Sequence, residues 1–187
     1  GAGAVSAGTG LAMNAADQID IRHDQRSGTA PTIQAGDELT IIAGTSISGA
    51  AGSLIGSAST LSLAATGPNG TITLDRLDGT NIVINTTGAA SVEHAEASND
   101  FTATAGSFRT GLNSIITGGD IIVSSPGAVD LGNSTAGGFV AVDGQSIAFN
   151  SIGAVGSVFL TASGTAPGAE GINGSIITSG GNVQLRS

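Results

Sequence analysis

The side chains able to do chemistry are few here, and they are widely spaced. The 187 residues carry fourteen acids, five arginines and two histidines, with no lysine and no cysteine. The acids include Asp17, Asp20, Asp24, Asp37, Glu38, Asp75, Asp78, Asp100, Asp120, Asp130 and Asp143. A glycan-cleaving enzyme needs two carboxylates held together across the scissile bond. These acids instead sit mostly between short apolar runs or at alternate positions within them. That places them at corners and on outward strand positions, where they act as solubilising charge. Asp75 and Asp78 flank Arg76, which reads as a surface ion pair before it reads as a loose metal site. In Ile19-Asp20-Ile21-Arg22-His23, alternation turns His23 toward the side of Ile19 and Ile21, as a hydrogen-bonded group at the edge of a core. His94 follows Val92-Glu93 and reads as a corner residue. Neither histidine has a second His or a Cys at ligand spacing, so no transition-metal site is expected. Calcium nonapeptides, EF-hand loops and a GxSxG elbow are absent. The pairs Gly118-Gly119, Gly137-Gly138 and Gly180-Gly181 lack the lysine of a phosphate loop and precede strands rather than helices. The expectation is a chain with no metal, no cofactor and no catalysis. Asn69, Asn85, Asn133 and Asn173 open Asn-x-Ser/Thr sequons, which matter only in a eukaryotic secretory setting.

The elements that position these groups follow from a repeat. Asn113 to Val123 reads NSIITGGDIIV, and Gly174 to Leu185 reads GSIITSGGNVQL. Each is a short apolar run, a Gly-Gly break and an alternating run. Alternating triplets open at residues 19, 39, 61, 82, 101, 121, 140, 158 and 183. A period of about 20 residues is too short for two helices and a turn, and suits three short strands with three corners. Gly, Ser, Thr, Asn and β-branched residues dominate, and no sustained helical spacing appears. The predicted fold is all-β: a right-handed parallel β-helix of about nine coils, with first and third triplet members stacked inward. Its hand follows the chirality of parallel crossovers. Glycine is expected at corners that need positive φ. Residues 1–18 read as an irregular lead-in or a first coil, 19–187 as the repeats, and 165–171 as a loop inserted at a corner. The chain ends at Val183 to Ser187, just after the last strand and without a polar cap, so the natural polypeptide is expected to continue or another subunit to cover this end.

The middle members of the triplets form an outer stripe. Its C-terminal half holds Val83, Ile122, Ala141 and Phe159, the candidate partner contact, because contiguous exposed apolar residues usually meet something. The alternatives are a shift in strand phase or cover by the chain's own loop.

Composition limits the partners. A net charge of −9 without lysine disfavours nucleic acid and anionic lipid. No apolar run approaches the ~20 residues of a membrane span. The lack of cysteine fits a secreted bacterial protein, and the lack of an initiating Met or signal peptide fits a mature product or an excised fragment.

The triplet spacing, with SIITGGDIIV, STAGGFVAV and SIITSGGNVQL, resembles the repeats of filamentous-haemagglutinin-like exoproteins and autotransporter passengers. The resemblance runs over most of Ile19 to Leu185 and is strongest from Asn113 onward. It implies a right-handed β-helix on a Gram-negative cell surface, exported through an outer-membrane pore and carrying adhesive regions. The family's N-terminal secretion motifs have no counterpart in these residues. The expected function is an adhesin stalk that contacts host or neighbouring cells, glycans included. The first alternative is a self-assembling extracellular filament or sheath subunit. The second is a glycan-active β-helix enzyme, which the absence of Trp and Tyr sugar platforms opposes. A weaker one is an ice-binding solenoid, which lacks its Thr-x-Thr array.

Overall fold

Residues 4–22, 30–111, 115–164 and 171–187 are described by a computed structural model. Their regular elements are all β-strands, which stack in parallel as a β-solenoid of about seven turns, about 21 residues apart. Each coil presents three faces. Gly and β-branched residues disfavour helix, and alternation gives every strand one dry side and one wet side.

The second face is a nine-stranded sheet running from Leu11–Ala15 through Leu39–Ala43, Thr60–Ala65, Asn81–Thr86, Phe101–Thr104, Ile121–Ser124, Val140–Gly144 and Val158–Ala162 to Val183–Arg186. Its register stacks Leu39, Leu61, Ile82, Phe101, Ile121, Val140 and Val158 in one ladder. Ile41, Leu63, Ile84, Ala103, Val123, Val142 and Leu160 form a second. All are buried, so the first and third triplet members do point inward.

One triplet lies elsewhere. Ile19-Asp20-Ile21 falls in the strand Gln18–Ile21, which pairs with Ser46–Gly49 on the third face. The rung that opens the second-face ladder is Leu11-Ala12-Met13, with Leu11 opposite Leu39 and Met13 opposite Ile41. Eight of the nine recurrences are therefore strands of one face, and the stack has about seven turns rather than the nine coils expected. A triplet from another side of the coil had entered the count, because both sides obey the same alternation. Residues 4–7 and 11–15 already belong to the stack, paired with Thr32–Ala35 and Leu39–Ala43.

The third-face ladder runs Ile19, Ile47, Ile72, Ala90, Phe108, Val129, Ile147, Ile172. On the first face Ile33, Ile55, Leu77, Ala95, Ile115, Ser134 and Ile152 stack likewise. Long strands such as Thr71–Gly79, Ala89–Ala97 and Ser146–Ala154 bend from the third face onto the first face of the next coil. Volume is balanced within layers. The coil with Phe101 and Phe108, whose rings lie 5.8 Å apart, fills its remaining inward positions largely with Ala95, Ala97, Ala103 and Ala105. Two large and four small side chains keep the bore filled at close to interior density.

Corner glycines serve close approach rather than positive φ. Only Gly52, Gly132 and Asn69 have positive φ among the described residues. At Gly137 a Cβ would lie 2.8 Å from the carbonyl carbon of Gly118 one coil below, and nearer still to its oxygen. Gly44, Gly67 and Gly118 meet the backbone beneath them in the same way. Corner backbones are hydrogen-bonded up the stack, as in Gly118 N–H to Ala97 O (3.0 Å), Gly137 N–H to Thr117 O (3.0 Å) and Gly156 N–H to Gly138 O (2.7 Å). Inward hydroxyls donate to carbonyls, Ser125 at a corner to Gly106 (3.1 Å) and Ser134 in the first-face ladder to Leu131 (3.0 Å).

Candidate contact surface

The outer side of the second face carries the candidate stripe. The register places Val83 beside Ser62 and Thr102, Ile122 beside Thr102 and Ala141, and Phe159 beside Ala141 and Gln184. Val83, Ile122 and Phe159 are each more than a third exposed, and Ala141 is half-buried between its neighbours. Alternation forces this placement, since the flanking residues Ile121, Val123, Val158 and Leu160 are fully or almost fully buried. The four side chains therefore stand outward in one row along the axis. One row over, Ile42 is also exposed, and the same row continues through Ala64, Asn85, Thr104, Ser124, Asp143 and Thr161.

The ion pairs lie on the other two faces. At the bend into the first face, Arg76 lies opposite His94 and Asp78 opposite Glu96. Arg76 Nη2 donates to Glu96 Oε2 at 2.6 Å, and His94 Nε2 lies 3.3 Å from Glu96 Oε1. The Arg76 pair thus forms across coils and not with Asp75 or Asp78 along the chain. Glu96 lies diagonally across the strand pair from Arg76, a separation the long guanidinium side chain spans. Asp75 instead accepts the N–H of Gly52. The hydrogen bond from His94 holds the Glu96 carboxyl below its ordinary value against the opposing effect of burial, with the Arg76 charge adding to the lowering. On the third face Asp20 accepts from Arg22, which lowers its carboxyl likewise, and from Ser48 at 3.1 Å.

No family model, no curated protein and no solved structure matches the chain.

Two further acids act as staples. Asp100 Oδ1 accepts the N–H of Asp120 at 2.8 Å, and Asp120 Oδ1 accepts that of Phe139 at 2.9 Å. Each carboxylate reaches into the corner of the next coil, where Gly119 and Gly138 leave it room. The motif Gly-Gly-Asp before a strand is thus a joint between coils. Sequence reasoning placed Asp120 at a corner but had no signal for its acceptor role, because the donor lies 19 residues away. No group of three or more His, Cys, Asp or Glu side chains is placed to hold a metal ion among the described residues. His23, Asp24, Arg26 and the predicted loop at 165–170 lie outside the described residues.

Proposed function

We propose that the chain is a stiff structural segment of a secreted bacterial surface exoprotein, an adhesin stalk that holds binding regions, its own loops among them, away from the cell without catalysing a reaction. The observation that carries this reading is the continuous stacking of inward, almost wholly apolar ladders on all three faces, joined by hydrogen-bonded corners. Each coil supports only its neighbours, which makes a rod whose length scales with coil number. At about 4.8 Å per rung the nine strands of the second face span roughly 40 Å. The ionisable groups described above are used in pairs or as joints between coils, which supports a scaffold over a reaction centre. Export through an outer-membrane pore and display outside the cell follow from the repeat resemblance. The partners are host or neighbouring cell surfaces, including their glycans. Nucleic acid is disfavoured by the net charge of −9.

The test is surface display of the 187-residue chain on a Gram-negative cell behind a carrier barrel. Displaying cells are expected to adhere to epithelial monolayers more than barrel-only cells, and the purified chain to release no new chain ends from a panel of neutral and acidic polysaccharides. Unchanged adherence, or cleavage of any polysaccharide, overturns the reading.

A further inference from the structure

We propose that the second face is a self-association surface, on which a second copy of this chain packs with its axis antiparallel. The inference is independent of the stalk reading.

The first observation is the distribution of charge. From Ala12 to Gln184 the middle outward row of the second face contains no ionised side chain. The first face carries Arg76, Asp78 and Glu96, and the third carries Asp20, Arg109 and Asp130. In a chain of net charge −9, two copies repel over most of their surface. The ionised groups within the second-face strands are Asp143 and Arg186, both one row over, so the middle row is where two copies approach with least repulsion.

The second observation is relief. Large outward residues recur on alternate strands, Val83, Ile122 and Phe159, and the strands between them bring Thr102 and Ala141. Ridges about 9.6 Å apart are therefore separated by hollows of similar width. A two-fold axis lying along the strand direction reverses the stack and turns the face onto itself. In the register that overlaps the eight strands from Leu39–Ala43 to Val183–Arg186, Ile122 meets Thr102 of the second copy. Val83 then meets Ala141, and Phe159 meets Ser62. Along this row every large side chain faces a small one, as sheets packing about 10 Å apart require, and one row over Ile42 meets Arg186 of the second copy. In the adjacent row Asn85 faces Asp143, so the one acid there gains a hydrogen-bond donor.

The third observation is area. Eight strands by five residues is about 38 Å by 16 Å, or roughly 600 Å² per copy. A standard interface buries about 800 Å² per partner, and weaker specific ones begin near 600 Å². The face is thus large enough for a reversible dimer in the micromolar range, with two rods lying side by side.

The chain has no cysteine, so introduced thiols report unambiguously. Sedimentation of the full 187-residue chain is expected to pass from monomer to dimer mass between about 1 and 200 μM. Thr102→Glu, which adds like charge to the middle of the row, is expected to raise the dissociation constant about tenfold or more. Ile122→Ser is the second variant, so that misfolding of either one, read by circular dichroism, leaves the other to decide. Val83→Cys mixed with Ala141→Cys is expected to give a cross-linked pair with a short bis-maleimide, while Val83→Cys alone is not. A monomer throughout the concentration range, a dimer untouched by both substitutions, or cross-linking of Val83→Cys to itself in preference to Ala141→Cys overturns the proposal.

Discussion

Replacing Gly137 by alanine separates two explanations for glycine at the corners. If glycine were present for backbone freedom, Gly137 would need positive φ, and it does not have it. Its added Cβ would instead press on the Gly118 backbone at 2.8 Å from the carbonyl carbon, where about 3.4 Å is ordinary contact. The obstacle is main chain, so it cannot rotate away. Coil spacing at this corner would have to open by several tenths of an ångström or more. That strains two corner hydrogen bonds, Gly137 N–H to Thr117 O at 3.0 Å and Gly138 N–H to Gly119 O at 2.8 Å. Overpacking of this kind costs about 1–3 kcal/mol, and each weakened bond about 1 kcal/mol. The expected loss is about 3–5 kcal/mol, or a fall in melting temperature of roughly 6–20 °C for a domain of this size. Gly153→Ala is the control: its Cβ would find its nearest neighbours in the Thr135 side chain at 3.8 Å, and its φ is not positive. That variant is expected to be neutral or stabilised by up to about 1 kcal/mol through reduced entropy of the unfolded chain. Urea unfolding followed by far-UV circular dichroism reads both. Equal midpoints for Gly137→Ala and Gly153→Ala would refute the close-approach argument.

Two further outcomes follow from the joints and the ion pairs. Asp120→Ala leaves the Phe139 N–H without its 2.9 Å acceptor, so a loss of about 1–3 kcal/mol is expected in the same urea assay. Hydrogen exchange should localise that loss to the corner before Val140, and slow exchange of the Phe139 amide in the variant would contradict it. Glu96 binds its proton less readily folded than unfolded, so it adds stability above its ordinary value of 4.5 that fades as pH falls through its lowered folded value. The pair with Arg76 is nearly half exposed, which limits this to about 1 kcal/mol or less. The stability gap between the natural chain and Glu96→Gln is expected at pH 7 and to close toward pH 3, and a gap independent of pH would exclude the ion pair as its source.

The ladders were legible in the sequence because inward residues of a solenoid must be apolar and must recur. Eight of the nine triplets fell on the second face, and the outward stripe of Val83, Ile122, Ala141 and Phe159 followed from alternation alone. Ile19-Asp20-Ile21 fell on the wrong side because all three faces share a period of two, and nothing local tells one face from another. Leu11-Ala12-Met13 was the true first rung. Glycine at the corners was visible, but its reason was not, since positive φ and close approach leave the same residue behind. The acceptor role of Asp120 and the pairing of Arg76 with Glu96 were hidden for one cause: their partners are set by the stacking of coils, at separations of about one repeat.

The Gly-Gly-Asp joint has a consequence for how such a chain changes over generations. Asp120 precedes Ile121 as Phe139 precedes Val140, and both positions join a corner to the same ladder. Excising Ile121 to Phe139 would bring Asp120 directly before Val140 and leave each inward row continuous, one storey shorter. Duplicating the same stretch would add a storey. Rod length is therefore open to change by gain or loss of whole repeats, without any intermediate in which the remaining coils lose their alignment.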